Sequence, residues 1–303
     1  MNQAAPPPYG IIEPQRRTLP FVYNIPHSGR YYPPDLLQQS CLSLDDLRAA
    51  EDCLVDHLYA GVPALGAPML VNAYARVYLD TNRDALELDP KIVEPPLPAE
   101  ANTGSERVAA GLGVIPAVTS GCRPIYRRPL TADTAARRID AIHRPVHAAL
   151  TKLMTATLRE FGYAVLIDCH SMPGGSGNRP RRSEPDIVLG DRYGASCAPA
   201  LVQTATAAFE KLGYTVARNA PYAGGFNTEH YGHPARGQHA LQIEINRRLY
   251  LDERRFSLTP HAPTLIEHLH QVLHALHRIP AASLRPMRPL ASGEDMPLRL
   301  SAE

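Results

Sequence analysis

No apolar run in this 303-residue chain is long enough to span a bilayer. The start, Met1 to Pro20, is Pro-rich and polar and lacks the apolar core of a signal peptide. Charge of one sign is lacking too. The formal net charge is +1, which removes the electrostatic case for nucleic acid or an acidic membrane surface. The short tract Arg179-Pro180-Arg181-Arg182 reads as a solvated loop and does not restore it. The 5 cysteines (Cys41, Cys53, Cys122, Cys169, Cys197) are odd in number and form no C-x-x-C pair, so they read as reduced thiols in a cytoplasmic protein. Gly174-Gly175-Ser176-Gly177 lacks the lysine and helix start of a phosphate loop. No G-x-S-x-G elbow is present, and Ser28 and Ser171 adjoin histidines, an awkward placing for triad serines. Internal repeats and low-complexity blocks are likewise missing.

What is present begins with an ordinary globular composition, 44% hydrophobic and 20% charged, on a chain long enough for one large α/β domain or two small ones. Strand and helix signals alternate, which predicts a layered α/β sheet. Phe21–Ile25, Pro68–Val71, Ala75–Leu79, Tyr163–Cys169, Asp186–Leu189, Tyr214–Ala217 and His239–Ile245 read as strands. Leu44–Ala60, Thr134–Phe161 (interrupted at Pro145), Ser196–Leu212 and Thr264–His277 read as helices. Residues 90–125 and 219–238 read as long excursions, the kind that wall a site or cover it. The expected layout is a loose arm over 1–19, one domain over 20–278 and a Pro- and Arg-rich tail over 279–303.

Several apolar runs end in polar residues: Pro26-His27-Ser28, Glu51-Asp52, Asp80-Thr81-Asn82-Arg83, Asp168-Cys169-His170 and Gln242-Ile243-Glu244. Strand ends lie at the rim of an open sheet, where α/β folds build their sites. Two histidines, an acid between them and a late lone glutamate suit a catalytic zinc centre with a general base. Asp168, two residues before His170 on the same strand face, is placed to orient it. Cys169 points to the opposite face. Asp56, one helical turn beyond Asp52, is placed to support or replace it. Glu244 stands between two isoleucines, and a carboxylate there needs a partner or a function. Its alternative is a structural pairing with Arg247 or Arg248. Arg83 suits a substrate carboxylate, because a guanidinium fork grips two oxygens; Arg76, Arg127 and Arg128 are weaker candidates.

At this point the residues resemble a known family. Pro26–Gly29, Glu51-Asp52 with Val55-Asp56, Asp80–Arg83, Gly111–Ile115, Ile125-Tyr126, Leu166–Pro173 (LIDCHSMP), Asp186–Gly190, Pro221–Gly232 and Ala240–Arg247 (ALQIEINR) resemble the N-formylglutamate amidohydrolase family, between residues 20 and 255. That family is similar to the zinc carboxypeptidases and acyl-amino-acid deacylases. The resemblance implies a single-domain three-layer α/β/α fold with a mixed central sheet, of the phosphorylase/hydrolase-like type, holding one zinc ion.

The resemblance also implies His27 and His170 as zinc ligands, with the acid from Glu51-Asp52, Asp52 preferred and Glu51 the alternate. In the carboxypeptidases the acid follows the first histidine by three residues, a position held here by Arg30. It implies Asn82 and Arg83 as the clamp on the substrate carboxylate and Glu244 as base and proton shuttle. Arg127 is expected at the oxyanion, and Arg128 or Arg247 at a second carboxylate. The implied reaction is hydrolysis of N-formyl-L-glutamate to formate and L-glutamate at the end of histidine degradation. Two alternatives stand beside it: a deacylase for another N-acyl amino acid or small peptide, and a metal-free binding protein on the same fold. Another divalent transition metal can occupy the same ligand set.

Overall fold

The computed structural model describes residues 5–119, 121–174 and 184–286. The tract Arg179–Arg182, Gly175–Gly177 and residues 287–303 lie outside them. Strands run in chain order as β1 (Tyr9–Ile12), β2 (Phe21–Ile25), β3 (Met69–Asn72), β4 (Val93–Glu94), β5 (Leu130–Thr131), β6 (Ala164–Met172), β7 (Ile187–Gly190), β8 (Val216–Arg218), β9 (Gln238–Asn246), β10 (Leu251–Asp252) and β11 (Ser257–Leu258). Seven of them form one mixed sheet in the order β1-β3-β2-β6-β9-β7-β8. Its centre is parallel, β3-β2-β6-β9, while β1 pairs antiparallel with β3 and β7 antiparallel with β9.

Alternation along the central strands sorts the side chains into two cores. Val165, Ile167, Leu241 and Ile243 face one way, against the helices Val55–Leu58, Pro199–Lys211 and Ala262–His277. Leu166, Ala164 and Ala240 face the other, against Val146, Leu150, Leu153 and Met154 of the helix Arg144–Phe161. The result is the expected three-layer α/β/α domain. Among the described residues no helix is long and apolar enough to cross a membrane.

Several local expectations are corrected. The segment Leu44–Ala60 is not one helix. It breaks into Leu44–Arg48 and Val55–Leu58, with Leu54 in the left-handed region at φ 61°. Ser43 caps the first piece through a capping box with Asp46. Tertiary bonds take over the break: Asp52 N donates to His27 O at 3.0 Å and Ser28 Oγ to Asp52 O at 2.7 Å. Ala75–Leu79 is a turn rather than a strand, its N–H of Tyr78 folded back onto Ala75 O.

The long helix does change at Pro145. Ala132–Arg138 passes into a π-helical turn, Ile139–His143, before Arg144–Phe161 begins. A proline ring clashes with the carbonyl four residues earlier, and a wider turn relieves that clash.

The excursion over 90–125 is packed. Val93, Val114 and Ile115 are buried with Leu79, Leu88 and Leu130 in a core of their own. The bond from Asp80 N to Val114 O, 2.8 Å, makes it a buttress for Asp80–Arg83. Likewise 219–238 contains a helix, Phe226–Tyr231. The stretch 1–19 is not a loose arm throughout, because β1 closes the sheet edge and exhausts its ladder on β3. Past 278, Ile279 and Leu284 are buried, and Leu284 O faces His239 Nε2 at 2.7 Å.

Candidate functional site

The parallel strands bring their C-terminal ends to one rim. His27 lies two residues beyond β2, on the chain as it turns through Ser28-Gly29. Asp168 and His170 share one face of β6, and their register partners Gln242 and Glu244 share the same face of β9. Cys169 faces the opposite core, fully buried. The helix break at 49–54 delivers Asp52 to this rim. Glu51 turns away, accepting from Tyr32 Oη at 2.6 Å and Arg48 Nε at 3.1 Å. Asp56 pairs with Arg30 instead of joining the group.

Asp52 Oδ2 stands 3.2 Å from His27 Nδ1 and 2.9 Å from His170 Nδ1. The outer nitrogens have carboxylates of their own: His27 Nε2 lies 2.7 Å from Asp80 Oδ1, and His170 Nε2 lies 2.8 Å from Asp168 Oδ2. All of these groups are buried. A carboxylate on Nε2 fixes the proton there and leaves the Nδ1 lone pair facing inward.

One donor atom each from His27, Asp52 and His170 lies within 4.8 Å of the others. Two imidazole nitrogens and one carboxylate oxygen are the donors of a catalytic zinc site, which keeps a fourth position for water.

The electrostatics favour a cation. Four buried carboxylates (Asp52, Asp80, Asp168, Glu244) share the rim with two guanidiniums in ion pairs. Arg76 Nη2 lies 2.7 Å from Asp80, and Arg247 Nη2 lies 3.3 Å from Asp52. The carboxylates outnumber the guanidiniums paired with them, an arrangement that suits a cation. Burial opposes the charged form of Asp52, yet the imidazoles of His170 and His27 hold its carboxyl well below the usual range. Burial also opposes a charged His170, but Asp168 beside it raises the imidazole well above its ordinary value. The residues present therefore fit a divalent metal.

Glu244 is buried, and its Oε1 accepts from Gln242 Nε2 at 2.8 Å. Burial above all pushes its carboxyl up to about 7. Neither Arg247 nor Arg248 pairs with it. Arg247 donates to Ser171 Oγ, Ala49 O and Asp52, and Arg248 to Glu184 O and Asp186.

Arg83 donates Nε to Leu112 O at 2.8 Å and Nη1 to Asn82 O at 2.7 Å. It is half-buried and takes part in none of the ion pairs among the described residues. Asn82 is committed within the protein: its Oδ1 accepts from Asn227 N at 2.8 Å, and its Nδ2 lies 3.3 Å from His170 Nε2. The structure does not bring Arg127 or Arg128 into the group. Both are exposed, and Arg127 donates Nε to Ser40 O at 2.9 Å. Arg247 is bonded within the protein through all three of its guanidinium nitrogens.

Sequence reasoning gave no role to Asp80, Gln242, Asn24 or Asn227, and ranked Arg76 low. Asp80 sat unremarked in the same polar string as Asn82 and Arg83. Gln242 was readable, since strand alternation puts it on the face of Glu244. The two asparagines carried no signal.

A place for a cation beside a carboxylate able to trade a proton near neutral pH is the equipment of a hydrolytic enzyme. The comparisons with known proteins agree and go further. The sequence matches the family described as N-formylglutamate amidohydrolase over residues 19–251. An N-formylglutamate deformylase of Pseudomonas aeruginosa is 31% identical over 252 residues, covering 80% of this chain and 86% of that relative. Another, of Pseudomonas putida, is 31% identical over 241 residues, covering 78% and 83%. The crystal structure of N-formylglutamate amidohydrolase from Ralstonia eutropha JMP134 superposes with a TM-score of 0.81 at 36% identity, covering 89% of this chain and 96% of that one. The chain belongs to the N-formylglutamate amidohydrolase family.

Proposed function

We propose that the protein is a zinc-dependent deformylase that hydrolyses N-formyl-L-glutamate to formate and L-glutamate. The single observation that carries the reading is the buried His27–Asp52–His170 group with Glu244 on the neighbouring strand, in a chain of this family. His27 and His170 would hold the ion through Nδ1 and Asp52 through a carboxylate oxygen. When bound, zinc supplies Lewis-acid activation of water and of the formyl carbonyl.

The chain's own residues supply the rest. Glu244, with a carboxyl near 7, accepts a proton from the attacking water and returns it to the glutamate nitrogen as the C–N bond breaks. Water adds to the formyl carbon, formate leaves with the new C–O bond, and the nitrogen departs as the amine. The oxyanion role expected of Arg127 falls to Arg76. Arg76 bonds Asp80 and stands 4.0 Å from Asp52, with Glu244 among the charges acting on it. Arg83, half-buried and without an ion-pair partner among the described residues, takes the α-carboxylate. Asn82 contributes by holding the wall of the site and not by gripping substrate.

The test is formate release from N-formyl-L-glutamate before and after chelation, with zinc then added back. Chelator-sensitive release restored by zinc is expected. No release in either state, with N-acetyl- and N-succinyl-L-glutamate cleaved instead, would move the protein to another N-acyl substrate. No turnover of any of the three would remove the enzyme reading.

A further inference from the structure

Asp168 is the most enclosed carboxylate of the rim, with no exposed surface. Among the described residues no arginine or lysine pairs with it. Two amides take that place. Asn24 Nδ2 donates to Oδ1 at 2.8 Å, and Asn227 Nδ2 reaches Oδ1 at 3.1 Å and Oδ2 at 3.2 Å. The remaining contact is His170 Nε2 on Oδ2. Asn227 thus bridges both oxygens and fixes the plane of the carboxylate against the imidazole.

That aim is kept at a cost. The carbonyl oxygens of both amides, Asn24 Oδ1 and Asn227 Oδ1, are buried with no hydrogen-bond partner. An unpaired buried acceptor is destabilising. Packing for stability alone would satisfy both ends of each amide.

Asn227 is also tied to the Asp80–Arg83 segment. Its backbone N donates to Asn82 Oδ1 at 2.8 Å, beside Arg83. Gly225, two residues earlier, donates N to Gln242 Oε1 at 2.9 Å, and Gln242 in turn holds Glu244. The approach is close: a Cβ on Gly225 would lie 2.3 Å from Asn82 Nδ2. The side chain of one residue therefore reaches the carboxylate behind His170, while its backbone reaches the residue before Arg83.

We propose that Asn227 is a positioning residue: it locks Asp168 against His170 and ties that lock to Asn82, and so sets the grip of the histidine–aspartate group on a divalent metal. The inference rests on the metal reading above. Without the Asn227 side chain, Asp168 keeps Asn24 and His170 but loses the bridge across its two oxygens, and the His170 ring loses its fixed orientation.

The test is the zinc dissociation constant of wild type and Asn227→Ala, by competition with a chromophoric chelator, together with Tm in the presence and absence of zinc. Zinc affinity should fall about 10- to 100-fold. The zinc-dependent rise in Tm should shrink while the metal-free Tm stays near wild type. A merely structural role would lower both Tm values together. In an Asp168→Asn background the same substitution should cost less than about 3-fold more, because it acts through Asp168. Should Asn227→Ala not fold, Asn227→Ser gives the same reading. Wild-type zinc affinity in the variant, or a fully additive loss in the double variant, overturns the inference alone. A wild type that binds no zinc overturns the metal reading and this inference with it.

Discussion

The two imidazoles of the rim have the same job and different support. His27 leans on Asp80, whose charge is shared with Arg76 at 2.7 Å. His170 leans on Asp168, whose other hydrogen bonds among the described residues come from two neutral amides. Burial works against the charged form of Asp80, yet Arg76 and then His27 hold its carboxyl well below the usual range. Among the described residues no guanidinium pairs with Asp168 as Arg76 does with Asp80. A carboxylate behind a ligating histidine raises the basicity of the ligand. On the proposed metal reading, His170 is the imidazole backed by an unshared carboxylate, and His27 the one linked to Arg76 through Asp80.

The largest effect is expected at neither imidazole. Glu244→Gln should lower kcat about 10²- to 10⁴-fold while zinc content stays at the wild-type level. An unchanged rate with metal bound would remove Glu244 from the proton transfer. On the His27 side, Arg76→Ala should lower kcat roughly 10²- to 10³-fold with little change in KM, as loss of an oxyanion donor does. Arg83→Ala should act mainly on KM, by losing a ground-state grip on the substrate. Steady-state kinetics of the two variants separate them, and the reverse pattern would exchange their roles.

Next in size is the contrast between the two carboxylates. Asp168→Asn should weaken zinc binding by about 10- to 100-fold. Asp80→Asn should weaken it less, because Arg76 already offsets the charge of Asp80. Equal losses by chelator competition would break the asymmetry.

The smallest effect extends the comparison to histidines away from the rim. His277 meets the hydroxyl of Tyr23 at 2.8 Å and the ring of Phe21 edge-on, and burial, helped by His274, pushes its imidazole down to about 4. A folded-state value below the unfolded one, near 6.5, means that the unfolded chain binds more protons in between. Stability is therefore full above pH 6.5 and falls as pH drops toward 4. His277→Gln should show a smaller loss of Tm than wild type between pH 6.5 and 4.5. An identical loss in both would show that His277 does not titrate with unfolding.

Much of this was readable in the chain. The strand β6 opens as an apolar run and β9 alternates, so alternation puts Asp168 with His170 and Gln242 with Glu244, and the register of the pair brings them onto one face. His27, His170 and Glu244 were therefore visible as strand-end residues. The break before Val55 was not, because Leu44, Leu47, Leu54, Val55 and Leu58 keep helical spacing across it. What opens the helix is a set of bonds between Asp52 and Asp56 on one side and His27 and Ser28, far away in sequence, on the other. The same limit applies to Arg127. Its neighbours Ile125 and Tyr126 pack against residues 36–42 and 75–78, and carry it to the surface. Asn24 and Asn227 differ from any other asparagine only by what they touch.

Asp52 is the residue on which both imidazoles converge, so zinc stoichiometry by elemental analysis of wild type, Glu51→Ala and Asp52→Ala tests the account most directly. About one zinc per chain in wild type and in Glu51→Ala, with none in Asp52→Ala, is the predicted result. Zinc retained by Asp52→Ala and lost from Glu51→Ala, or absent from wild type after zinc is supplied, would contradict it.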